Sequence, residues 1–318
     1  MTAREWAESG PGFSQISGEG AVDWALWERL AEQLRCDIGN GPDLDRRIHH
    51  LYLPVLFFAL ARMREAPARP VVVGIQAPQG AGKTTLTRHL LSCLQLIGLR
   101  SVSVSIDDFY LTRSEQLDLA AAHPDNPYLE HRGYPGTHDI ELGRRTLAAL
   151  HRLGPDAVGQ VVSVPVYDKS AHGGRGDRVP EDQWRRVEGP LDIVFLEGWM
   201  LGFERVDEQS LPDPALVEPN RVLASYGSWH RLIDAWVVLR PLDPAFVVGW
   251  RVEAEAAARQ AGRSALDEAA AEDYVRRFLP AYRVYGDELP AGGAARLLLS
   301  LDRSRQPVPW PERAGGAG

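Results

Sequence analysis

From Ala21 to Arg64 the apolar positions recur three and four residues apart, with Trp24, Trp27, Leu30 and Leu34 in one run and Leu51, Val55, Phe58 and Leu60 in another. That spacing places one face of a helix on a core. Gly39, Gly41 and Pro42 interrupt the pattern and Pro67 with Pro70 closes it, so two or three helices are predicted, forming an N-terminal helical cap over residues 1–69. At Val71-Val72-Val73-Gly74-Ile75 the texture changes to a short β-branched run, and similar runs follow at 101–106, 160–166, 192–196, 235–239 and 297–301. Short β-branched runs of this kind look like buried parallel strands. Helical patterns fall between them at 84–97, 140–152, 245–260 and 267–285. The alternation predicts an α/β domain over 70–305, with a central parallel sheet flanked by helices. Two stretches, 112–137 and 167–190, lack either period and read as long loops, which are uncommon without a function. Residues 306–318, rich in proline and glycine, read as a flexible tail.

The composition changes this picture little. The 318 residues are 44% apolar and 25% charged, ordinary values that exclude extended disorder and fibrous repeats. Thirty-five basic against 43 acidic residues leave a net charge of −8, which speaks against a broad surface for nucleic acid or anionic lipid. Cys36 and Cys93 are the only cysteines; they cannot make a disulfide framework, and no Cys/His spacing suggests zinc. No basic-then-apolar leader opens the chain, and the longest apolar stretch, near 51–61, contains Tyr52 and Pro54 and falls short of the roughly 20 residues a bilayer requires. The expectation is a soluble cytoplasmic protein whose partners are small molecules, not nucleic acid or membrane.

The chemistry begins directly after the first strand. Ala77-Pro78-Gln79-Gly80-Ala81-Gly82-Lys83-Thr84-Thr85 leads into Leu86, Leu90, Leu91 and Leu94 at helical spacing, an order of strand, glycine-rich turn, Lys-Thr and helix. Backbone N–H groups of such a turn converge on a phosphate, the helix N-terminus adds positive potential, and Gly80 and Gly82 permit close approach. Residues 78–85 are thus expected to hold ATP, with Lys83 on its outer phosphates and Thr84 on Mg²⁺. Ala77 stands where the usual pattern begins with glycine.

A phosphate loop alone does not distinguish a kinase from a switch. Transfer to a hydroxyl also calls for an acid at the acceptor, a metal-positioning acid and cations over the moving group. Asp107 and Asp108 leave the second strand at the edge where α/β sheets bind ligands; Asp107 is the candidate base, and Asp108 suits a helix cap. The apolar run 193–196 ends in Glu197, placed for Mg²⁺ and its water. The segment 164–178 mixes Lys169, Arg175 and Arg178 with glycines, a composition suited to an anionic ligand. Arg251 and Arg259, eight apart on one predicted helix with Arg263 beyond its end, lie two turns apart on one face, a spacing that allows arginine fingers in cis.

Taken together, APQGAGKTT, SIDDFYLT, the HRGYPGTHD segment of 131–139, VPVYDKSAHGGRGDR of 164–178, VEGPLDIVFLEGWMLGF of 187–203 and RRFLPAYRVY of 276–285 resemble the D-glycerate 3-kinases of plants and cyanobacteria. Those belong with uridine kinase, phosphoribulokinase and pantothenate kinase among the P-loop kinases. The resemblance covers most of 71–305 and is weak over the N-terminal helices. It implies a P-loop NTPase fold and transfer of the ATP γ-phosphate to the 3-hydroxyl of D-glycerate. It implies a catalytic role for Lys83, Asp107, Glu197 and Arg251, nucleotide contacts from Arg259, and an acceptor pocket from Asp107, Tyr110, Arg132, His138, Asp139, Tyr167, Asp168, Lys169 and Arg175. It also accounts for Ala77, which agrees with that family's own variant. From the residues themselves, Arg132, Lys169, Arg175 and Arg178 suit a small carboxylate, while Tyr128, Tyr134 and Tyr167 keep a nucleoside acceptor open. Pantothenate or another sugar acid, and a non-catalytic ATP-binding regulator, are the remaining alternatives; the last conflicts with the presence of Lys83, Asp107 and Glu197 together.

Overall fold

The computed structural model describes residues 1–17, 22–39, 41, 43–66, 69–260, 262, 266–286, 290 and 292–311. Pro67, Arg263 and the last seven residues of the expected tail lie outside them. The strands are β1 (Val71–Gln76), β2 (Ser101–Ser105), β3 (Val161–Val164), β4 (Tyr167–Asp168), β5 (Asp177–Arg178), β6 (Arg185–Glu188), β7 (Ile193–Gly198), β8 (Ala235–Pro241), β9 (Ala295–Leu301) and β10 (Pro307–Val308). Six form the central sheet in the order β10-β9-β8-β1-β7-β2. All neighbours are parallel except β10, which runs antiparallel to β9.

The sequence explains the order. β1 and β7 are buried at every position, as strands covered on both faces must be, and they lie side by side near the middle. From β1 the chain crosses to β2 at one edge and later reaches β8 on β1's other side. The reversal opens a crevice at the carboxyl end of β1, the usual ligand position in such sheets. Glu197 is level with both Ile75 and Ser105, so the phosphate loop, Glu197 and the turn carrying Asp107 leave the sheet at one edge.

Several expectations need correction. The run 160–166 does not enter the sheet: β3 pairs antiparallel with β6 as a separate ribbon, and Val161 is 41% exposed. A β-branched run fits a half-buried hairpin as well as a buried strand. The irregular stretch 112–137 contains the helix Arg113–Ala122, started by a reciprocal cap between Thr112 and Glu115. The stretch 167–190 contains a second ribbon, β4 with β5, and β6. The helical pattern at 267–285 is two helices, Glu268–Arg276 and Leu279–Tyr285, the second with proline in its first turn, where proline is tolerated. Gln306 is buried and β10 pairs with β9, so the stretch expected to be a tail from 306 begins as part of the sheet.

The N-terminal segment folds as helices Ala3–Glu8, Phe13–Ser17, Trp24–Ile38 and Leu44–Arg47, a π-helical turn Ile48–Tyr52, and the helix Leu53–Glu65. Trp27, Leu30, Leu34, Val55 and Phe58 are buried in the same continuous core as Val73 and Leu90. Among the described residues no helix is long and apolar enough to cross a membrane.

Candidate active site

Past β1 the backbone turns through Gly80 (φ +75°) and Gly82 (φ +93°) before the helix Lys83–Leu96 begins. Both angles lie in the left-handed region that glycine enters without cost. The loop is fastened on several sides. The Ala77 N–H donates to the Gly198 carbonyl at 3.2 Å, and the Ala77 methyl is buried. The Gln79 N–H donates to the Tyr282 hydroxyl at 3.0 Å. At Gly80 a Cβ would stand 2.8 Å from the Trp250 carbonyl carbon, so only glycine lets the helix Phe246–Gln260 come this close. Arg305 secures that approach: its Nε donates to the Gly80 carbonyl at 2.8 Å, one Nη donates to the Trp250 carbonyl at 3.2 Å, and the other pairs with Glu253 at 2.6 Å. Sequence reasoning missed Arg305, which sits beside the expected tail in no motif. Tyr282 lies inside the RRFLPAYRVY segment, so for it a signal existed.

Lys83 opens the helix, and its Nζ donates to the Pro78 carbonyl at 3.0 Å. Burial lowers its pKa, against the opposing pull of Glu197 and Asp107. The Thr84 hydroxyl is 3.5 Å from Glu197 Oε1. Glu197 is 6% exposed, its Oε2 has no partner, and burial pushes its pKa up although Lys83 opposes this. A buried carboxylate oxygen without a donor, next to a threonine hydroxyl at the mouth of a phosphate loop, is a donor set for a hard cation. Among the described residues no group of three or more acidic, His or Cys side chains forms a metal cage, and Mg²⁺ requires none when substrate phosphates complete its shell.

At the end of β2, Ser105 caps a 3₁₀ turn over Ile106–Phe109, and Asp108 returns a bond to the Ser105 N–H. Asp108 therefore has the capping role expected of it, and Asp107 is left to face Lys169, 2.5 Å away. Burial alone would raise the Asp107 pKa; Lys169, with His138 and Lys83, outweighs that and holds the carboxyl far below the usual range. The same contact raises Lys169.

Behind Asp107, Tyr110 stacks on His138 with centroids 4.4 Å apart and meets Tyr167 edge-on at 5.2 Å. His138 is buried, which lowers its pKa to about 4 and leaves it neutral near pH 7. The Tyr226 hydroxyl accepts from the Gly136 N–H and lies 2.8 Å from His138 Nδ1. The network assigns the hydroxyl proton to that contact and the imidazole proton to Nε2, which is buried without a partner.

The other expected pocket residues have visible tasks. Arg132 donates to the Lys169, Gly174 and Arg175 carbonyls and lies over the Tyr167 ring, so it shapes the loop that presents Lys169. Asp168 accepts from the Ser170 N–H and hydroxyl within its own turn. Asp139 caps the helix Ile140–Leu150 and pairs with Arg178. Arg175 is exposed and bonds to His131. Tyr128 and Tyr134 pack on each other, their hydroxyls held by Asp213 and the Arg277 carbonyl, which removes two of the three tyrosines that kept a nucleoside slot open. Arg251 pairs with Glu255, lies over Tyr274, and is close enough to Lys83 for its charge to bear on that amine. Arg259 instead donates to the Leu266 carbonyl; the structure does not join the two arginines in one cluster.

A parallel sheet with a phosphate loop at its switch point, a strand-end glutamate beside Lys-Thr, and a second strand-end aspartate under a basic loop define a P-loop kinase. Over 279 residues the chain is 39% identical to the chloroplastic D-glycerate 3-kinase of Arabidopsis thaliana, covering 82% of this chain and 61% of that protein. An uncharacterized kinase of Schizosaccharomyces pombe is 35% identical over 264 residues, 78% of this chain and 94% of its own. The solved D-glycerate 3-kinase of Cryptococcus neoformans superposes with a TM-score of 0.73 at 30% identity, over 81% of this chain and 97% of that one. No protein-family model matches. The chain belongs to the D-glycerate 3-kinase family.

Proposed function

We propose that the protein phosphorylates the 3-hydroxyl of D-glycerate with ATP, giving 3-phosphoglycerate and ADP, in the cytoplasm. The observation that carries this reading is the Asp107–Lys169 pair, set at a strand end beside Lys83: an acceptor-facing base with a cation for a carboxylate, next to a phosphate-binding lysine. Asp107 orients the hydroxyl and accepts its proton. Its low pKa suits a transfer that asks more for positioning than for basicity. Lys169 leaves Asp107 in part to meet the glycerate carboxylate, and Arg175, exposed on the same loop, adds a second cation. The His138 Nε2–H supplies a buried donor to the acceptor, and the rings of Tyr110 and Tyr167 close the pocket around a small molecule.

Residues 78–85 cradle the phosphates of ATP, with Lys83 on the outer ones. Thr84 and Glu197 would hold Mg²⁺, which neutralises phosphate charge when bound. Arg251 lies close enough to Lys83 to stabilise charge on the transferring group.

The test is ADP release from purified protein with Mg²⁺·ATP, with and without D-glycerate, with the product checked as 3-phosphoglycerate. Release that D-glycerate does not stimulate, while ATP still binds, would overturn the acceptor assignment.

A further inference from the structure

The N-terminal helices share the core, yet the reading above gives them no part in the chemistry. They are tied to the helix that starts at the phosphate loop: Ser92 donates to Asp37 at 2.6 Å, Arg29 to the Leu96 carbonyl at 3.2 Å, and Tyr52 meets His89 edge-on at 5.7 Å. Arg47 stands directly before the π-helical turn Ile48–Tyr52. Such wide turns are rare and, where they occur, are frequently at functional positions.

The Arg47 guanidinium points at the loop. Were a Cβ built on Gly82, Arg47 Nη2 would be 4.0 Å from it, and, the two chain neighbours aside, no other atom of the described residues would lie within that distance. Gly82 thus presents an open face, and Arg47 is the group across from it. Its Nε is buried without a hydrogen-bond partner, and among the described residues its guanidinium forms no ion pair. Nearby arginines are satisfied, Arg35 by Asp45 and Arg29 by a carbonyl. A buried cationic donor without an acceptor is costly to retain. A phosphate oxygen on the open face of Gly82 would meet the Nη2 end of the same guanidinium through a charge-assisted bond.

We infer that Arg47 is a ligand of the nucleotide's phosphate chain, supplied by the N-terminal helices. The helix bearing Arg251 reaches the loop at Gly80 and the N-terminal segment reaches it at Gly82, so the phosphates are gripped from two parts of the chain. The inference rests on residues 77–85 being the ATP loop and is independent of the acceptor.

The experiment is calorimetric titration of Arg47→Ala, Arg47→Lys and Lys83→Ala with ATP in the absence of acceptor, together with each variant's ligand-free thermal midpoint. Arg47→Ala is expected to bind ATP about ten-fold or more weakly, the range lost with one charge-assisted bond. Arg47→Lys should fall between it and the parent. The ligand-free midpoint of Arg47→Ala should equal or exceed the parent's, because among the described residues the Arg47 side chain makes no hydrogen bond or ion pair to lose; a purely structural arginine would lower it. ATP binding within two-fold of the parent overturns the inference. Should Arg47→Ala not fold, Arg47→Gln decides by the same criterion. Lys83→Ala separates the two failures: parental ATP binding in that variant would sink the phosphate-loop reading itself, whereas a loss there with none at Arg47 overturns Arg47 alone.

Discussion

Asp107 and Lys169 set each other's charge, and the pair makes two predictions. Asp107→Asn should retain ATP affinity but reduce kcat by about 10² or more, the lower range for losing a general base; steady-state kinetics with an ATP titration separate the two, and near-parental turnover removes Asp107 from that role. Lys169→Met removes the main group holding the Asp107 pKa down, and burial then drives it upward. Because the base must be ionised, the acid limb of the kcat/KM profile for D-glycerate should move to higher pH in that variant. An unmoved limb would mean that Lys169 does not govern the reacting carboxylate. Strand ends explain why Lys83, Asp107 and Glu197 could be grouped from the sequence: each follows a run with strand character, and the structure brings all three to one edge of the sheet. Asp139 and Asp168 were not separable in this way. Aspartate is favoured both as a ligand and as a cap, and only coordinates show that one caps a helix and the other its own turn.

The elements around the phosphate loop depend on close contact more than on chemistry. Gly80→Ala would force a Cβ against the Trp250 backbone at a φ of +75°, where both the residue and the helix Phe246–Gln260 must shift. The expected outcome is ATP affinity reduced by about 10² or more, with a lowered thermal midpoint, since strained left-handed positions cost of order 1–3 kcal/mol before any overlap is counted. Calorimetry and thermal unfolding check it; parental ATP binding would show that the contact is not required. The sequence revealed the glycine-rich turn but not the surface it meets, because Trp250 and Arg305 lie far along the chain. The same limit produced the misplaced strand at 160–166. Periodicity describes one segment at a time, whereas whether β3 pairs with β6 or enters the sheet is decided by partners 20 or more residues away.

Across the whole molecule, the N-terminal helices and the sheet are one packed body, and a boundary at 69 drawn from texture does not separate two cores. Removing residues 1–69 should therefore expose Leu90 and the neighbouring apolar surface and leave a chain without cooperative unfolding, measurable by circular dichroism; a stable, ATP-binding 70–318 fragment would refute this. Burial in that shared core also sets a pH response. His49 is fully buried, its Nδ1 accepts the Trp27 indole N–H at 2.9 Å, and burial, with Arg35, lowers its pKa to about 4. The unfolded chain takes up a proton on His49 below about pH 6.5, while the native state resists until about pH 4. The stability that a neutral His49 permits is thus complete above pH 6.5 and is lost as the pH falls towards 4. Linkage puts the loss between pH 7 and pH 5 at about 2 kcal/mol for this one group. His49→Gln, which can still accept from Trp27, should flatten urea-derived stability by that amount over the same interval, and an unchanged slope would show that His49 is not held neutral in the native core.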